Sequence, residues 1–234
     1  MERTKYQHVF FDLDHTLWDF EKNSAVALAE IFKIFALAEK LNTGFDSFNQ
    51  KYQLHNKQLW DRFSKGFISA EELKWKRMWR TLLEFELADE TLAKEMSHGF
   101  LDILPTEKEV FPYTFEILDY LKTKKYDLHI ISNGFEKTQH SKLTHSGLKD
   151  YFNQVITSEA SNAVKPQKEI FEFAMEKAGA QLHESIMIGD NAEADIAGAI
   201  AAGMDSVFVS HDGRTTDLPA TFSISHLKEL EDIL

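Results

Sequence analysis

The stretch "YDLHIISNGFEKTQHSKLTHSG", Tyr126 to Gly147, decides the fold. Its first part is a short apolar run that stops at Ser-Asn-Gly, the pattern of a buried strand ending in a turn. Its second part reads as a helix that closes on a glycine suited to a C-terminal cap. The same two textures recur along the chain. Strand-like runs occupy Tyr6 to Asp12, "NQVITSE" (153–159), "ESIMIGD" (184–190) and "DSVFVS" (205–210). Helical stretches occupy "PQKEIFEFAMEKAG" (166–179), with Pro166 at an expected first helical position, and "AEADIAGAIAAG" (192–203). Strand then helix, repeated, predicts an α/β fold with a doubly wound parallel sheet.

Residues 20–105 interrupt that rhythm. "SAVALAEIFKIFALAEKL", "DSFNQKYQLHNKQLWDRF", "SAEELKWKRMWRTLLEF" and "DETLAKEMSHGFLDIL" carry apolar residues at helical spacing and read as four helices. Ser69 followed by Glu72 fits a capping box at the start of the third. Pro105 marks the return to the α/β unit. The expected organisation is a core of residues 1–19 and 106–234, split after its first strand by a helical unit of residues 20–105. No internal repeat or low-complexity tract is visible.

The 234 residues suffice for such a core with an insertion, and a hydrophobic fraction of 43% can fill it. Lys and Arg number 26 against 38 Asp and Glu, a net charge of -12 that repels nucleic-acid backbones and anionic membranes. A small anionic ligand remains compatible where a local cation or metal overrides that field. There is no cysteine, which excludes disulfides, thiolate catalysis and Cys-ligated metals. The N-terminal "MERTKYQHVFF" lacks a long apolar segment with a small-residue cleavage site, and no run of about 18 apolar residues occurs, so a cytoplasmic protein is expected.

Ligands of open parallel sheets gather outside the carboxyl ends of the strands. The first strand ends in Asp12-Leu13-Asp14-His15-Thr16, the next in Ser132-Asn133-Gly134, and a later one in Gly189-Asp190, with Asp195 five residues further on. Lys165 can reach the same rim. Two carboxylates about 4 Å apart repel by about 4 kcal/mol at an effective dielectric near 20, so a compensating cation is required. Asp12, Asp14 and Asp190 form an oxygen-rich set suited to Mg²⁺. The Ser132 hydroxyl and the amides of Asn133 and Gly134 can donate to phosphoryl oxygens, with Thr16 grouped beside them, while Lys165 supplies fixed positive charge. Asp12 can then attack phosphorus, and Asp14 can protonate the leaving oxygen and activate water. Asp195 reads as a metal ligand, as a partner of the ligands, or as a carboxylate on the helix surface; Asn191 is a further candidate partner. His15, with no second histidine at ligand spacing, is expected to support or gate the cluster rather than bind metal. Trp60, Trp75 and Trp79 fall on helical faces and read as packing residues. Taken singly, each motif has an ordinary explanation as a turn, a solvated lysine or a helix cap. Their placement at strand ends in one α/β pattern argues for a single site.

Asp12-x-Asp14-x-Thr16, Ser132, Lys165 and Gly189-Asp190-x-x-x-x-Asp195 resemble the four motifs of the haloacid dehalogenase (HAD) superfamily. The resemblance spans essentially the whole chain and implies a Rossmann-like core, with the helical insertion as a type-1 cap. It also implies Mg²⁺-dependent phosphomonoester hydrolysis through an aspartyl-phosphate on Asp12. In that family the metal is held by the nucleophile's carboxylate, by the backbone carbonyl at the Asp14 position and by the Asp190 carboxylate. The name-giving dehalogenases lack the second aspartate, so Asp14 points to a phosphatase. "HNKQLWDRFSKGFISAEEL" (55–73), "ISNGFEKTQHSKLTHSGLKDYF" (131–152) and "GDNAEADIAGAIAAG" (189–203) are similar to house-cleaning 5'-nucleotidases that prefer pyrimidine and non-standard pyrimidine nucleoside monophosphates. His15 stands where glycine or glutamate is more often found. By the same resemblance Asn56, Lys57, Trp60 and the turn at Gly66 are expected to contact the leaving group, with helix packing as the alternative.

The expected ligand is therefore a small phosphorylated metabolite, the expected cofactor Mg²⁺, and the expected assembly a monomer or weak homodimer without nucleic acid or membrane partners. A sugar-phosphate phosphatase or phosphomutase on the same scaffold is the competing enzyme reading. A phospho-aspartate signalling receiver shares the carboxylates, lysine and Mg²⁺, but such modules are about half this length and have no place for the helical insertion.

Overall fold

In the computed structural model, which describes residues 5–234, strand β1 (His8–Phe11) lies near the middle of a six-stranded sheet. The start of the N-terminal stretch, before Lys5, lies outside the described residues. After β1 the chain forms helices α1 (Phe20–Ile34), α2 (Leu37–Leu41), α3 (Phe45–Ser64), α4 (Ala70–Leu83) and α5 (Glu90–Ile103). It continues through α6 (Thr114–Thr123), β2 (Asp127–Ser132), α7 (Glu136–His145), β3 (Gln154–Thr157), α8 (Ser158–Ser161) and α9 (Lys168–Ala178). Strand β4 (Ser185–Gly189), helix α10 (Gly198–Ala202), β5 (Asp205–Val209) and β6 (Phe222–Ile224) complete it.

The sheet order is β3-β2-β1-β4-β5-β6, and every neighbouring pair is parallel. The chain fills one side of β1 with β2 and β3, then returns to fill the other side with β4, β5 and β6. That reversal opens a crevice at the carboxyl ends of β1 and β4, where open α/β sheets take their ligands. Val9, Phe10 and Phe11 are wholly buried because β1 is paired on both edges and covered on both faces. On one face Phe10, Ile131, Ile156 and Met187 pack with Ile170, Phe171 and Ala174 of α9 and Ala199 of α10. Gly198 permits this approach: a Cβ there would lie 2.6 Å from the Phe171 ring and 3.0 Å from Pro166 Cα.

Several local expectations shift. Helix α9 begins at Lys168 with Gln167 as its N-cap, so Pro166 precedes the helix instead of opening it. The stretch 192–203 is a wide π-turn, Ala192–Ala197, before α10. Strand β6 and helix α6 add to the expected elements. β6 has three residues, of which Phe222 and Ser223 are exposed, so its only signal is one buried isoleucine.

Residues Glu21–Glu107 form a second compact unit, and the α/β unit comprises the chain up to Phe20 and from Lys108 onward. Within the helical unit Phe48, Tyr52, Leu59, Leu73, Met78, Leu82, Met96 and Phe100 are buried. Helix α4 opens with the expected capping box: Glu72 N–H donates to Ser69 Oγ and Ser69 N–H to Glu72 Oε2, each at 3.1 Å. Pro105 sits in the short 3₁₀ turn that leaves this unit. Among the described residues no helix is long and apolar enough to cross a membrane.

Candidate active site

β1 carries Asp12 one residue past its last strand position, and the Asp12 N–H still donates to Ile188 O at 2.8 Å, in register with β4. β4 ends at Gly189, which places Asp190 across the crevice. Beyond it, Asn191 O accepts from both Asp195 N–H (2.8 Å) and Ile196 N–H (3.3 Å). This wide turn folds the Asp195 carboxylate back beneath the end of β4, where Oδ2 accepts from Asn191 N–H at 2.9 Å. Gly189 has to be glycine, since a Cβ there would collide with the Asp195 carboxylate. Asp12, Asp190 and Asp195 are all buried and offer oxygens within 4.8 Å of one another.

Lys165 crosses this cluster, 2% exposed. Its Nζ donates to Asp12 Oδ1 at 2.5 Å, Asp195 Oδ1 at 2.6 Å and Ile131 O at 2.7 Å. Asn133 secures the Lys165 main chain through both amide groups, accepting from its N–H at 2.7 Å and donating to its carbonyl at 3.0 Å. Burial drives the Asp12 carboxyl well above the usual carboxylate range; Lys165 draws it down while Asp195 and Asp190 push it further up. Burial and Asp195 also raise Asp190, with His15 and Arg214 opposing. Burial lowers Lys165, but Asp12 and Asp195 outweigh that and hold its ammonium above the ordinary lysine value. Three buried carboxylates thus face one buried ammonium, with exposed Arg214 reaching Asp190 at 3.3 Å. The donors are all hard oxygen and the charge is under-compensated, which fits a divalent cation such as Mg²⁺ at Asp12, Asp190 and Asp195.

The carboxylate of Asp14 is not part of that cluster. Asp14 Oδ1 accepts from Lys142 Nζ at 2.5 Å and Oδ2 from Gln139 Nε2 at 2.9 Å. The expected grouping of Asp12 and Asp14 side chains assumes an extended chain, which ends at Leu13. Leu13 O accepts from Leu17 and Trp18 N–H, and His15 has φ +64°, so the chain turns and re-aims Asp14 toward α7. Burial raises the Asp14 carboxyl, but the Lys142 ammonium, helped by hydrogen bonds from Lys142 and Gln139, holds it below its ordinary value.

Ser132, the last residue of β2, accepts at Oγ from Gly134 N–H at 3.0 Å and from Gln139 Nε2 at 2.6 Å. The Gly134 amide is therefore turned onto Ser132 instead of outward. The Thr16 hydroxyl is wholly buried and donates to Asp190 Oδ1 at 3.4 Å, so it braces that carboxylate. The exposed Asn191 accepts at Oδ1 from Glu193 and Ala194 N–H and caps the turn that carries Asp195. In the helical unit, Asn56 is buried and its side-chain carbonyl accepts from Arg77 Nη1 at 3.1 Å. Lys57 is exposed, half-buried Trp60 meets the Phe63 ring edge-on at 5.7 Å, and Gly66 makes an exposed turn with φ +73°. Gln139, Lys142 and Arg214 belong to no motif visible in the sequence. "EKTQHSKLTH" reads as a solvated helix, and only the three-residue spacing of Gln139 and Lys142, seven and ten residues after Ser132, hints at a shared face.

A parallel α/β sheet with a carboxylate–lysine cluster at its switch point, interrupted after the first strand by a helical unit, defines a class of hydrolase. The chain belongs to the haloacid dehalogenase-like hydrolases, matching that family over residues 6–203. It is similar to pyrimidine 5'-nucleotidase YjjG of Escherichia coli, 31% identical over 235 residues and covering 98% of each chain. It is likewise 31% identical over 232 residues to pyrimidine 5'-nucleotidase PynA of Streptococcus pneumoniae, covering 98% of this chain and 95% of that protein. The crystal structure of the HAD-hydrolase YfnB from Bacillus subtilis, bound to magnesium, matches with a TM-score of 0.88 at 27% identity over 99% of both chains.

Proposed function

We propose that this hydrolase is a phosphatase, specifically a 5'-nucleotidase of pyrimidine nucleoside monophosphates, non-standard ones included, that works through an aspartyl-phosphate on Asp12. The observation that carries the reading is the Asp12 carboxylate at the switch point with Oδ1 held by Lys165 at 2.5 Å. That bond orients the carboxyl so that Oδ2 presents the attacking lone pair. Attack forms the Asp12–phosphorus bond and breaks the bond from phosphorus to the nucleoside 5'-oxygen, which takes a proton through Asp14; Asp14, held as a carboxylate beside Lys142, gains that proton from the monoanionic form of the substrate phosphate. Water then attacks the phosphoryl group, gives a proton to Asp14 and releases phosphate, restoring Asp12. Ser132 donates to a phosphoryl oxygen in both steps, while Lys165, whose three N–H groups are already committed to Asp12, Asp195 and Ile131 O in place of the expected phosphate contact, supplies positive charge beside it. Mg²⁺ held by Asp12, Asp190 and the Asp14 main-chain carbonyl, with Asp195 adjacent, would neutralise phosphoryl charge.

Two relatives named pyrimidine 5'-nucleotidases, each aligned over 98% of this chain, support the choice of leaving group. The net charge of -12 favours a small metabolite over polymeric nucleic acid. Phosphate release is to be measured over UMP, CMP, dTMP, 5-fluoro-dUMP, AMP, GMP and hexose 6-phosphates, with and without Mg²⁺. Mg²⁺-dependent turnover led by the pyrimidine nucleotides is expected, falling to background in Asp12→Asn. Rapid hydrolysis of hexose phosphates with nucleotides untouched overturns the substrate choice, and an active Asp12→Asn overturns the nucleophile.

A further inference from the structure

We propose that Gln139 and Lys142, one turn apart on α7, are positioning residues that set the Asp14 carboxyl and the Ser132 hydroxyl for catalysis. The proposal rests on the phosphatase reading above and deepens it.

Gln139 is wholly buried and Lys142 is 2% exposed. Long polar side chains are seldom buried to that degree unless their heads are engaged. Here both heads reach Asp14, and Gln139 reaches Ser132 as well. Lys142 Nζ lies 2.5 Å from Asp14 Oδ1, and Gln139 Nε2 lies 2.9 Å from Asp14 Oδ2 and 2.6 Å from Ser132 Oγ. With a separate donor on each oxygen, the plane of the Asp14 carboxyl is fixed. The Lys142 ammonium also sits 4.3 Å from the centroid of the Trp18 ring, on the segment that carries Asp14.

The effect on Ser132 follows from counting lone pairs. Its Oγ accepts from Gly134 N–H and from Gln139 Nε2, which uses both acceptor sites. Its own hydrogen is left to donate elsewhere, as a phosphoryl oxygen in the crevice requires. Gln139 keeps this arrangement although its Oε1 is buried with no hydrogen-bond partner among the described residues. Turning the amide over would bring that oxygen against the Asp14 carboxylate. The α7 pair therefore ties the group that grips phosphate to the group that moves the proton.

The test compares UMP, whose leaving oxygen needs a proton, with p-nitrophenyl phosphate, whose leaving oxygen does not. Lys142→Met is expected to slow single-turnover transfer of phosphate from UMP to Asp12 about 10- to 100-fold and transfer from p-nitrophenyl phosphate less than about threefold, while hydrolysis of the phosphoenzyme, which uses Asp14 for both, slows equally. Lys142→Arg, which keeps a cationic donor, is expected to recover most of the loss. Gln139→Leu is expected to lower kcat for UMP and to raise KM for both substrates, because Ser132 loses its direction. Should Lys142→Met fail to fold, as judged by circular dichroism, Gln139→Leu decides in the same assay. Equal slowing of the phosphoryl-transfer step on both substrates, or none, overturns the positioning role. Asp12→Asn assayed alongside separates the two readings. Activity retained in Asp12→Asn refutes the aspartyl-phosphate itself, whereas a silent Asp12→Asn with an unselective Lys142→Met refutes the positioning role alone.

Discussion

Asp12 is a carboxylate with almost no access to water, and Lys165 is what keeps it useful. An ammonium shared at 2.5 Å and 2.6 Å between Asp12 and Asp195 offsets part of the repulsion among three acids. Removing it would leave those charges buried and unpaired, a change that costs about 3–5 kcal/mol for a typical buried pair. Gly189 matters at the same scale although it carries no chemistry. Gly189→Ala would push a Cβ into the Asp195 carboxylate and dislodge it from Lys165. We expect this variant to lose at least about 1–3 kcal/mol of stability, and activity with it. Gly179→Ala is the control: its positive φ of +64° gives backbone strain of about 1 kcal/mol in open space at the end of α9, with full activity per folded molecule. Thermal melts and phosphate release on the two variants check the contrast; equal activity in both refutes the assignment to Asp195.

At the scale of elements, β1 and β2 meet through a histidine pair away from the catalytic rim. His129 is buried on β2, stacked on Phe10 at 4.6 Å, with its Nε2 3.1 Å from His8 Nδ1. Burial, with His8 adding to it, lowers the His129 pKa to about 4. The folded state therefore binds fewer protons than the unfolded chain between pH 6.5 and pH 4. The stability this group contributes is complete above pH 6.5 and is lost as pH falls toward 4. Linkage gives a loss of about 2 kcal/mol between pH 7 and pH 5. Urea unfolding across that range should show it, and His129→Asn should flatten that part of the profile. An unchanged pH slope in the variant would assign the acid sensitivity to other groups. Helix α7 is the element whose importance the sequence concealed: its catalytic-side face presents a glutamine and a lysine, the residues of an ordinary wet helix.

Across the whole molecule, the α/β unit is assembled from two separated pieces of chain, and its site draws Asp12 from the first and Lys165, Asp190 and Asp195 from the second. Such a site exists only in the folded chain. A divalent cation bound there stabilises the native state by mass action, about 2.7 kcal/mol at a hundredfold excess over its dissociation constant. We expect Mg²⁺ to raise the melting temperature of the wild type and to have no such effect on Asp190→Asn. A Mg²⁺ shift that survives in Asp190→Asn would place the cation elsewhere.

The sequence alone determined the alternation of the first five strands with the helices that follow them, the helical insertion after β1, and the residues at the ends of β1, β2 and β4. Those features follow from local periodicity and turn chemistry, which neighbouring residues carry. The same patterns missed α6, β6 and the break between α1 and α2. Tertiary structure decided which acids stand together. The turn at Leu13–Trp18 takes the Asp14 carboxylate out of the cluster that Asp12 and Asp190 enter, and the π-turn at Ala192–Ala197 brings Asp195 into it. It also placed Gln139 and Lys142 against Asp14 and paired Asn56 with Arg77. These placements depend on side-chain direction and on partners far along the chain, as with Lys142 and Asp14, 128 residues apart. No local pattern encodes them, because the charge that stabilises each buried group arrives only when the sheet is built.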